Sequence, residues 1–489
     1  MKQNILKINE LVKDKPYLLE ENYCPNVGYF PNGPSKYIQQ ILNGSDVYRY
    51  DIYNYRDDND TIINLGGGNP IKYKTYKYVK KDILKYLNSN NLYNYPNTIG
   101  DENIKNTLVK YLDSINIKQM TDENIIITAS TTHAYSLIMK AIIKPNDVVI
   151  IPVPTYGLFT YMPEKEGGRI IFYELKEENN WQINASELEA LIINTNKKLY
   201  NEFKNSEYIP KVVAIYNQNP NNPLSTYLGE KDKELVYNIN KICYDNKVLI
   251  IDDLVYKDSI YNKHESAIPM AIFSEFKDNI ISIFGISKSY SLPAIRSGFI
   301  VANKYFIQDI RDKIFLELDS VSMLSQIAIS SIYNDNRQRV RYRNKFLKKI
   351  NQKYLFNLEI INFFIYGEEK VSYKVKKFIK KQTNITDYMI VKQGMKNVSL
   401  YHDILPVSGF FALIDFTKIK GLRINNKIIK NDKDLIIELY KKSKVKFLPG
   451  TSFGWQNKND IIGRITFSKE SKLLVKDMCL LSKIINDAH

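Results

Sequence analysis

The residue with the clearest chemical potential is Lys288, which follows a short apolar run that ends at Gly285. A second apolar run, from Phe299, starts behind Gly298, so the sequence predicts a lysine at the mouth of a sheet, between two buried strands. Burying an unpaired ammonium is costly, which favours a chemical role for it. A partly desolvated amine can form a Schiff base with a carbonyl cofactor, and Arg296 could hold that cofactor's phosphate. A strand-end lysine that extends to solvent explains the pattern equally well.

Other polar side chains follow other apolar runs. Asp253 and Tyr256 stand three apart at the end of one predicted strand, and Asn222 follows the neighbouring strand. Ser130 and Thr131 open a predicted helix, where hydroxyls and free N–H groups can bind an anion, although simple N-capping by itself explains them better. Because ligands of parallel sheets bind beyond the carboxyl ends of the strands, these residues predict one shared site.

The order of the predicted elements indicates an α/β fold. Strands alternate with helices from residue 62 to 302, which is typical of a doubly wound, mostly parallel sheet in a large domain. The pattern then changes, and we expect a smaller α+β domain. We therefore expect an N-terminal arm at 1–60 that packs on the small domain, a large domain at 61–305 and the small domain at 306–489.

Two polar stretches predict irregular structure. Residues 176–209 suggest an insertion or loop with one helix from Ala185 to Ile192, and residues 355–400 suggest an irregular segment.

Composition narrows the class of protein. The chain has 489 residues, is 44% hydrophobic and 25% charged, and carries a net charge of +16. Its lysines are dispersed, and the longest basic cluster, 374–381, has apolar residues at helical spacing, which favours a solvated helix face over a nucleic-acid patch. The 3 cysteines and 4 histidines are scattered, which predicts a reducing compartment and no metal site. No run of 18 apolar residues occurs, so we expect a soluble cytoplasmic protein without membrane contact.

Read in chain order, an amide, an acid, a phenol, an amine and a guanidinium form one set: Asn222, Asp253, Tyr256, Lys288 and Arg296. The ordered set resembles the fold-type I pyridoxal-phosphate enzymes, specifically the class I/II aminotransferases, over roughly residues 60 to 470. The resemblance implies that Lys288 holds pyridoxal 5'-phosphate as a Schiff base and later moves the substrate proton. It also implies that Asp253 keeps the pyridine nitrogen protonated, while Tyr256 and Asn222 bond the phenolic oxygen of the cofactor.

The same resemblance implies roles for further residues. The cofactor phosphate would be bound by Ser130, Thr131 and Arg296, and by Tyr95 from the neighbouring subunit of a homodimer. Tyr156 would stack on the ring, although an ordinary loop tyrosine explains it without the resemblance. Arg464 would grip the substrate α-carboxylate, with a surface-paired strand arginine as the alternative. Gly68 would let the backbone approach the substrate, where a plain loop is the alternative.

Three positions depart from the family's pattern. Gly285 stands where a phosphate-binding serine is usual, Ser130 stands where a small glycine is usual, and Leu224-Ser225 replaces the usual Thr-Gly. None of these changes removes a residue that the electron-sink chemistry requires.

We therefore expect a pyridoxal-phosphate-dependent aminotransferase that moves an amino group from an L-amino acid to a 2-oxo acid. The alternative is a lyase, decarboxylase or cyclase of the same fold, because the sequence does not determine which Cα bond breaks. A cofactor-dependent regulator that binds nucleic acid would need a helix-turn-helix module, and residues 1 to 60 hold no compact candidate.

Overall fold

The computed structural model of the chain describes residues 63–157, 159–160, 162–455, 457 and 459–489. The predicted N-terminal arm at 1–60 lies outside these residues. The strands are β1 (Ile63–Asn64), β2 (Ile125–Thr128), β3 (Val148–Val153), β4 (Arg169–Glu174), β5 (Val212–Gln218), β6 (Leu249–Asp253), β7 (Ile280–Gly285), β8 (Gly298–Val301), β9 (Ser399–Leu400), β10 (Phe411–Asp415), β11 (Arg423–Ile424), β12 (Lys427–Ile428), β13 (Val445–Lys446), β14 (Leu448–Pro449) and β15 (Ile462–Thr466). The helices are α1 (Lys77–Leu87), α2 (Glu102–Ser114), α3 (Thr131–Ile142), α4 (Met162–Lys165), α5 (Ala185–Phe203), α6 (Lys233–Asp245), α7 (Lys304–Leu318), α8 (Met323–Tyr333), α9 (Arg337–Tyr366), α10 (Tyr373–Gln382), α11 (Ile385–Val391), α12 (Asp432–Ser443) and α13 (Ser471–Asn486).

A seven-stranded sheet organises the first half of the described chain, with strand order β2-β8-β7-β6-β5-β3-β4. Strands β7, β6, β5, β3 and β4 pair in parallel, whereas β8 runs antiparallel to both of its neighbours. The prediction of a doubly wound, mostly parallel sheet is confirmed. The carboxyl ends of the parallel strands meet at one edge of this sheet.

The strands are apolar because helices cover both faces of the sheet. On one face, Ile251 of β6 packs in the same cluster as Ile138 of α3 and Ile314 of α7. On the other face, Ile250 shares a cluster with Leu108 of α2. Strands buried on both faces read as continuous apolar runs, which is why the sequence revealed them.

The C-terminal part is built on an antiparallel sheet of order β14-β15-β10-β9, against which long helices pack. Strand β1 pairs in parallel with β13, with Ile63 opposite Val445. The glycine-containing segment after β1 is thus anchored beside the C-terminal sheet before the chain enters the large sheet. Because of this anchoring, residues 66–68 lie beside β15.

The expectation of irregular structure is wrong in both polar stretches. Helix α5 continues to Phe203, because Leu188, Ile192 and Leu199 bury one face while asparagines and lysines keep the overall composition polar. Within 355–400, α9 extends to Tyr366 and is followed by α10 and α11. Burial of one narrow apolar stripe is enough to hold a helix whose other faces are polar.

The basic cluster 374–381 forms part of α10, which buries Val375 and Ile379 and turns most of its lysines outward. The predicted solvated helix face is confirmed. Among the described residues, no helix combines the length and apolar composition needed to cross a bilayer.

Candidate active site

Lys288 lies in the turn after β7, at the edge where the parallel strands end. Its Nζ atom donates a hydrogen bond to the carbonyl oxygen of Gly68 at 2.8 Å. Burial and, to a lesser degree, the positive charges of Arg464 and Arg296 together lower the pKa of Lys288 to about 8, against the opposing charge of Asp253. An amine with such a pKa has a larger neutral, nucleophilic fraction near physiological pH than an ordinary lysine.

Asp253 ends β6 and is 1% exposed. Its Oδ2 accepts hydrogen bonds from the Tyr216 hydroxyl at 2.9 Å and from Nε2 of Gln218 at 3.1 Å, and its Oδ1 accepts from the Val255 N–H at 3.1 Å. Burial raises its pKa, while these donors and the Lys288 ammonium favour the ionised form. The carboxylate is therefore fixed in orientation and faces the lysine.

The neighbouring acid, Asp252, points to the opposite face of the sheet, as the two-residue period of a strand requires. It accepts hydrogen bonds from Asn217 Nδ2 and from the Met270 N–H, both at 2.8 Å. Burial raises the pKa of Asp252 to about 7.

Arg464 lies in β15 and is 1% exposed, so the alternative of a surface-paired arginine is excluded by its position. Nη1 donates to Oδ1 of Asn222 at 3.0 Å, and Nη2 donates to the carbonyl of Gly66 at 2.6 Å. The guanidinium lies 3.8 Å from the ring centre of Phe411 and 4.9 Å from that of Phe453. Its buried Nε has no hydrogen-bond partner among the described residues, and none of their carboxylates forms an ion pair with it. A desolvated cation in this state favours an anionic ligand.

The predicted binding site for the cofactor phosphate lies at the start of α3. Ser130 is buried and its Oγ accepts a hydrogen bond from the His133 N–H at 3.1 Å, which caps the helix. Thr131 packs closely on Gly285, where an added Cβ would lie 2.6 Å from the Thr131 Cγ2. The threonine methyl group therefore fills the space that a serine at position 285 would need, which is a physical reason for this departure from the family's pattern.

Arg296 is exposed, and its Nη1 donates to the carbonyl of Pro293 at 3.1 Å. Its charge nevertheless acts on Lys288. The guanidinium is thus close enough to influence the site without being buried in it.

The two predicted tyrosines beside the site differ in burial. Tyr256 is 3% exposed, and its ring lies 5.8 Å from Phe410 and 6.3 Å from Phe411. Tyr156 follows β3, is partly buried, and packs edge-on against Phe159 at 5.3 Å. Tyr95 is 88% exposed. Its predicted contact with a neighbouring subunit stays a prediction.

Sequence reasoning missed several residues that shape the site. Gln218 joins Asp253 to the loop of Asn222, because its Oε1 accepts from the Asn222 N–H at 2.8 Å. Tyr216 lies two residues earlier on the same strand face. The period of two, counted back from the polar end of β5, could have indicated both residues. The rings of Phe411 and Phe453 under Arg464 had no comparable signal, because they depend on the packing of the C-terminal part.

This donor set fits pyridoxal phosphate. It provides a nucleophilic amine, a buried carboxylate aimed towards that amine, and hydroxyl and N–H groups at a helix start, which are the groups that bind this cofactor's aldehyde, ring nitrogen and phosphate. The unpartnered Nε of Arg464 marks a separate place for a carboxylate. The fold and this arrangement define an α/β enzyme for amine chemistry.

Comparisons with known proteins agree with that class. The chain superposes on a Thermus thermophilus aspartate aminotransferase double mutant with a TM-score of 0.66 and 16% identity, covering 87% of this chain and 92% of that one. An aromatic aminotransferase of Pyrococcus horikoshii gives a TM-score of 0.66 at 17% identity, covering 87% and 96%. These similarities show the fold. By sequence, an aspartate aminotransferase of Pyrococcus horikoshii is 24% identical over 428 residues, 87% of this chain and 91% of the relative. One of Bacillus sp. (strain YM-2) is 24% identical over 284 residues, 58% of this chain and 67% of the relative.

The family profile "Aminotransferase class I and II" matches residues 60–476. The chain therefore belongs to the class I and II aminotransferase family, whose members use pyridoxal phosphate. The prediction of an aminotransferase is confirmed by the family and by its relatives.

Proposed function

We propose that this aminotransferase holds pyridoxal phosphate on Lys288 and transfers the amino group of an L-amino acid to a 2-oxo acid. The observation that carries the proposal is the position of Lys288 after β7, where its Nζ donates to the Gly68 carbonyl at 2.8 Å and where the charges of Asp253 and Arg464 both act on its pKa of about 8. When bound, the cofactor supplies an electron sink for the pair released at the substrate Cα.

The side chains of the protein would transfer protons and bind the cofactor ring. With the cofactor bound, Lys288 would move a proton at the substrate Cα. Asp253, held by Tyr216, Gln218 and the Val255 N–H, keeps a proton on the pyridine nitrogen. Tyr256 and Asn222 bind the phenolic oxygen.

Other residues bind the phosphate of the cofactor and the α-carboxylate of the substrate. Ser130, Thr131 and Arg296 bind the cofactor phosphate, and Tyr156 covers the ring. Arg464 binds the substrate α-carboxylate as a two-pronged donor, with the carbonyl of Gly66 and the Oδ1 of Asn222 orienting it. Gly68 lies beside Lys288, since an added Cβ there would be 3.7 Å from the Lys288 Nζ, and its backbone would approach the substrate.

At the level of the whole molecule, we propose a cytoplasmic homodimer in which Tyr95 serves the partner's site. We also propose the division into a large domain at 61–305 and a small domain at 306–489, with an arm at 1–60. The relatives named above are aspartate and aromatic aminotransferases, so aspartate, glutamate and the aromatic amino acids are the donors to test first.

The proposal is tested by treating the purified protein with pyridoxal phosphate and borohydride and then mapping its peptides by mass spectrometry. We expect the added mass on the peptide that contains Lys288, and amino transfer to 2-oxoglutarate from at least one donor. Lys288→Arg keeps the charge and should show neither. Labelling at another lysine with full activity of Lys288→Arg would overturn the proposal, whereas release of carbon dioxide or ammonia without amino transfer would favour a lyase or decarboxylase.

A further inference from the structure

A second cavity, of about 180 Å³, lies outside the Lys288 site. One side is formed by Val153-Pro154 and residues 174–177 at the ends of β3 and β4, with Trp181 beyond them. The other side comes from the C-terminal part, through Tyr401-His402 and Gly454-Trp455. We call it the seam cavity, because it lies between the large sheet and the C-terminal part. A cavity of about 150 Å³ already holds a benzene-sized molecule, so this one has room for a small organic ligand.

The walls of the seam cavity are aromatic. The ring of Tyr401 lies 5.7 Å from that of Trp181 and 4.8 Å from that of Trp455, to which it is nearly perpendicular. The imidazole of His402 lies 5.3 Å from Trp181. Trp181 and His402 both have positive φ, 57° and 45°, a backbone conformation that bulky residues rarely adopt and that the surrounding contacts must maintain. These contacts fix the positions of the four aromatic side chains relative to one another.

Carboxylates outnumber ammonium groups at the wall of the seam cavity, with Glu174 and Glu177 against Lys176, although the chain as a whole carries +16. Glu177 pairs with His402 at 2.6 Å, and Lys176 lies 3.6 Å from Glu178 and 3.7 Å from Glu187. Glu174 lines the cavity as well, and its carboxylate has no hydrogen-bond or ion-pair partner in the part of the chain that the structure describes.

We propose that the seam cavity binds a small organic cation of the alkylammonium class. The faces of indole and phenol rings attract such cations through their quadrupoles, and a carboxylate at the same cavity adds a direct charge interaction. Neither a neutral nor an anionic ligand would use both features. The proposal goes beyond the aminotransferase function and does not depend on it.

The seam cavity is connected to the active site through two short segments. Val153-Pro154 leads directly to Tyr156, and Gly454 follows Phe453, whose ring lies against Arg464. The two segments are joined by a hydrogen bond from the Thr155 N–H to the Phe453 carbonyl at 3.0 Å. A bound cation would contact both segments and hold them together. We therefore expect it to lower the KM for the amino-acid substrate while leaving kcat within about twofold.

The test compares choline with its neutral isostere, 3,3-dimethylbutan-1-ol. Both of the chain's 2 tryptophans line the seam cavity, so tryptophan emission of the purified protein reports binding there. We expect saturable quenching by choline and binding of the isostere that is about tenfold weaker or worse, a difference typical of a desolvated cation–π contact. Isothermal titration gives the dissociation constants independently. Absence of saturable binding, or equal binding of the two compounds, would overturn the proposal.

Two variants test whether the preference for choline depends on the charge of Glu174. Glu174→Gln keeps the size of the side chain and should remove the preference for choline over the isostere. Glu207→Gln removes an identical charge from an exposed residue that does not line the cavity, and should leave the preference unchanged. A choline preference that survives in Glu174→Gln contradicts the assigned role of that carboxylate. Loss of the preference in both variants would indicate a general surface-charge effect and would overturn the site.

Discussion

At the scale of single residues, the site depends on how each charge is solvated by the protein. Asp252 and Asp253 are adjacent and both buried, yet strand geometry sends them to opposite faces. Asp252 receives two hydrogen bonds and has a pKa of about 7, whereas Asp253 receives three and faces Lys288. Burial raises the pKa of both carboxyls, and the additional hydrogen bond and the charge of Lys288 favour the ionised form of Asp253 more strongly than that of Asp252.

The first prediction concerns the reactivity of Lys288. Because its pKa is lowered from 10.5 to about 8, the neutral amine is half populated near pH 8. In cofactor-free protein, its acetylation by acetic anhydride should rise with pH and level off above that value, while an ordinary lysine continues to gain reactivity towards pH 10.5. Mass spectrometry of the Lys288 peptide measures this profile. Arg464→Gln removes one of the lowering charges, so a midpoint that fails to move upward in that variant would contradict the electrostatic explanation.

The second prediction concerns Tyr216, which no sequence signal had assigned to the site. Tyr216→Phe removes one of the hydrogen bonds to Asp253, raising the pKa of that carboxyl and weakening its hold on the ring proton. Loss of a hydrogen bond to a charged group costs about 1.5–3 kcal/mol, so we expect kcat to fall about tenfold or more with little change in KM. Steady-state kinetics measures both. The control is Tyr173→Phe, whose hydroxyl bonds Glu187 at 2.7 Å on the far side of the sheet, and which should retain full kcat.

At the scale of elements, the start of α3 and the end of β7 are fitted to each other. The Thr131 methyl group occupies the space that a side chain at Gly285 would need. A change to either residue alone is therefore expected to disturb the predicted phosphate site.

This fit leads to the third prediction. Gly285→Ser restores the family's usual hydroxyl but places Cβ 2.6 Å from the Thr131 Cγ2, so we expect the free energy of unfolding to fall by about 1–3 kcal/mol, with weaker cofactor binding. Adding Thr131→Ser deletes the clashing methyl group and should recover most of the loss. Thermal unfolding and equilibrium dialysis of pyridoxal phosphate measure the two effects. If the double variant is no better than the single one, the packing explanation is wrong.

The sequence predicted much of the sheet and the convergence of several side chains, because both follow from periodicity and from strand ends. The apolar runs of β3, β5, β6 and β7 located the edge at which Lys288, Asp253 and Asn222 meet. The extent of α5 was missed, since its buried stripe is narrow and its other residues resemble a loop. Gln218, Phe411 and Phe453 were missed because their contacts depend on strand register and on packing between parts of the chain that are distant in sequence.

At the scale of the whole molecule, the site joins parts of the chain that are far apart. Arg464 of the C-terminal sheet, Gly66 after β1 and Asn222 after β5 form one hydrogen-bonded unit. Tyr95 is one of several large apolar or aromatic side chains that are exposed in the single subunit. A large exposed aromatic side chain is compatible with an interface.

The fourth prediction tests whether Tyr95 acts across subunits. Lys288→Ala should be inactive, and Tyr95→Ala should bind cofactor weakly. Mixing the two after reversible dissociation creates hybrid dimers in which one site has an intact lysine and an intact tyrosine, so we expect about a quarter of wild-type activity to return. Activity and size-exclusion chromatography of the mixture measure this. Mixing Lys288→Ala with Asp253→Ala is the informative control, because both residues would serve the same site and no activity should return.

The anchoring of β1 beside β13 also has a consequence for biosynthesis. The contact between Arg464 and Gly66 spans 398 residues, and the one between Lys288 and Gly68 spans 220. At about 5–20 residues per second, a ribosome adds the 464 region roughly ten to thirty seconds after position 288. During that interval the nascent chain carries its reactive amine without the arginine that completes the pocket. The proposed carboxylate-binding arginine thus becomes available only after the 464 region has been synthesised.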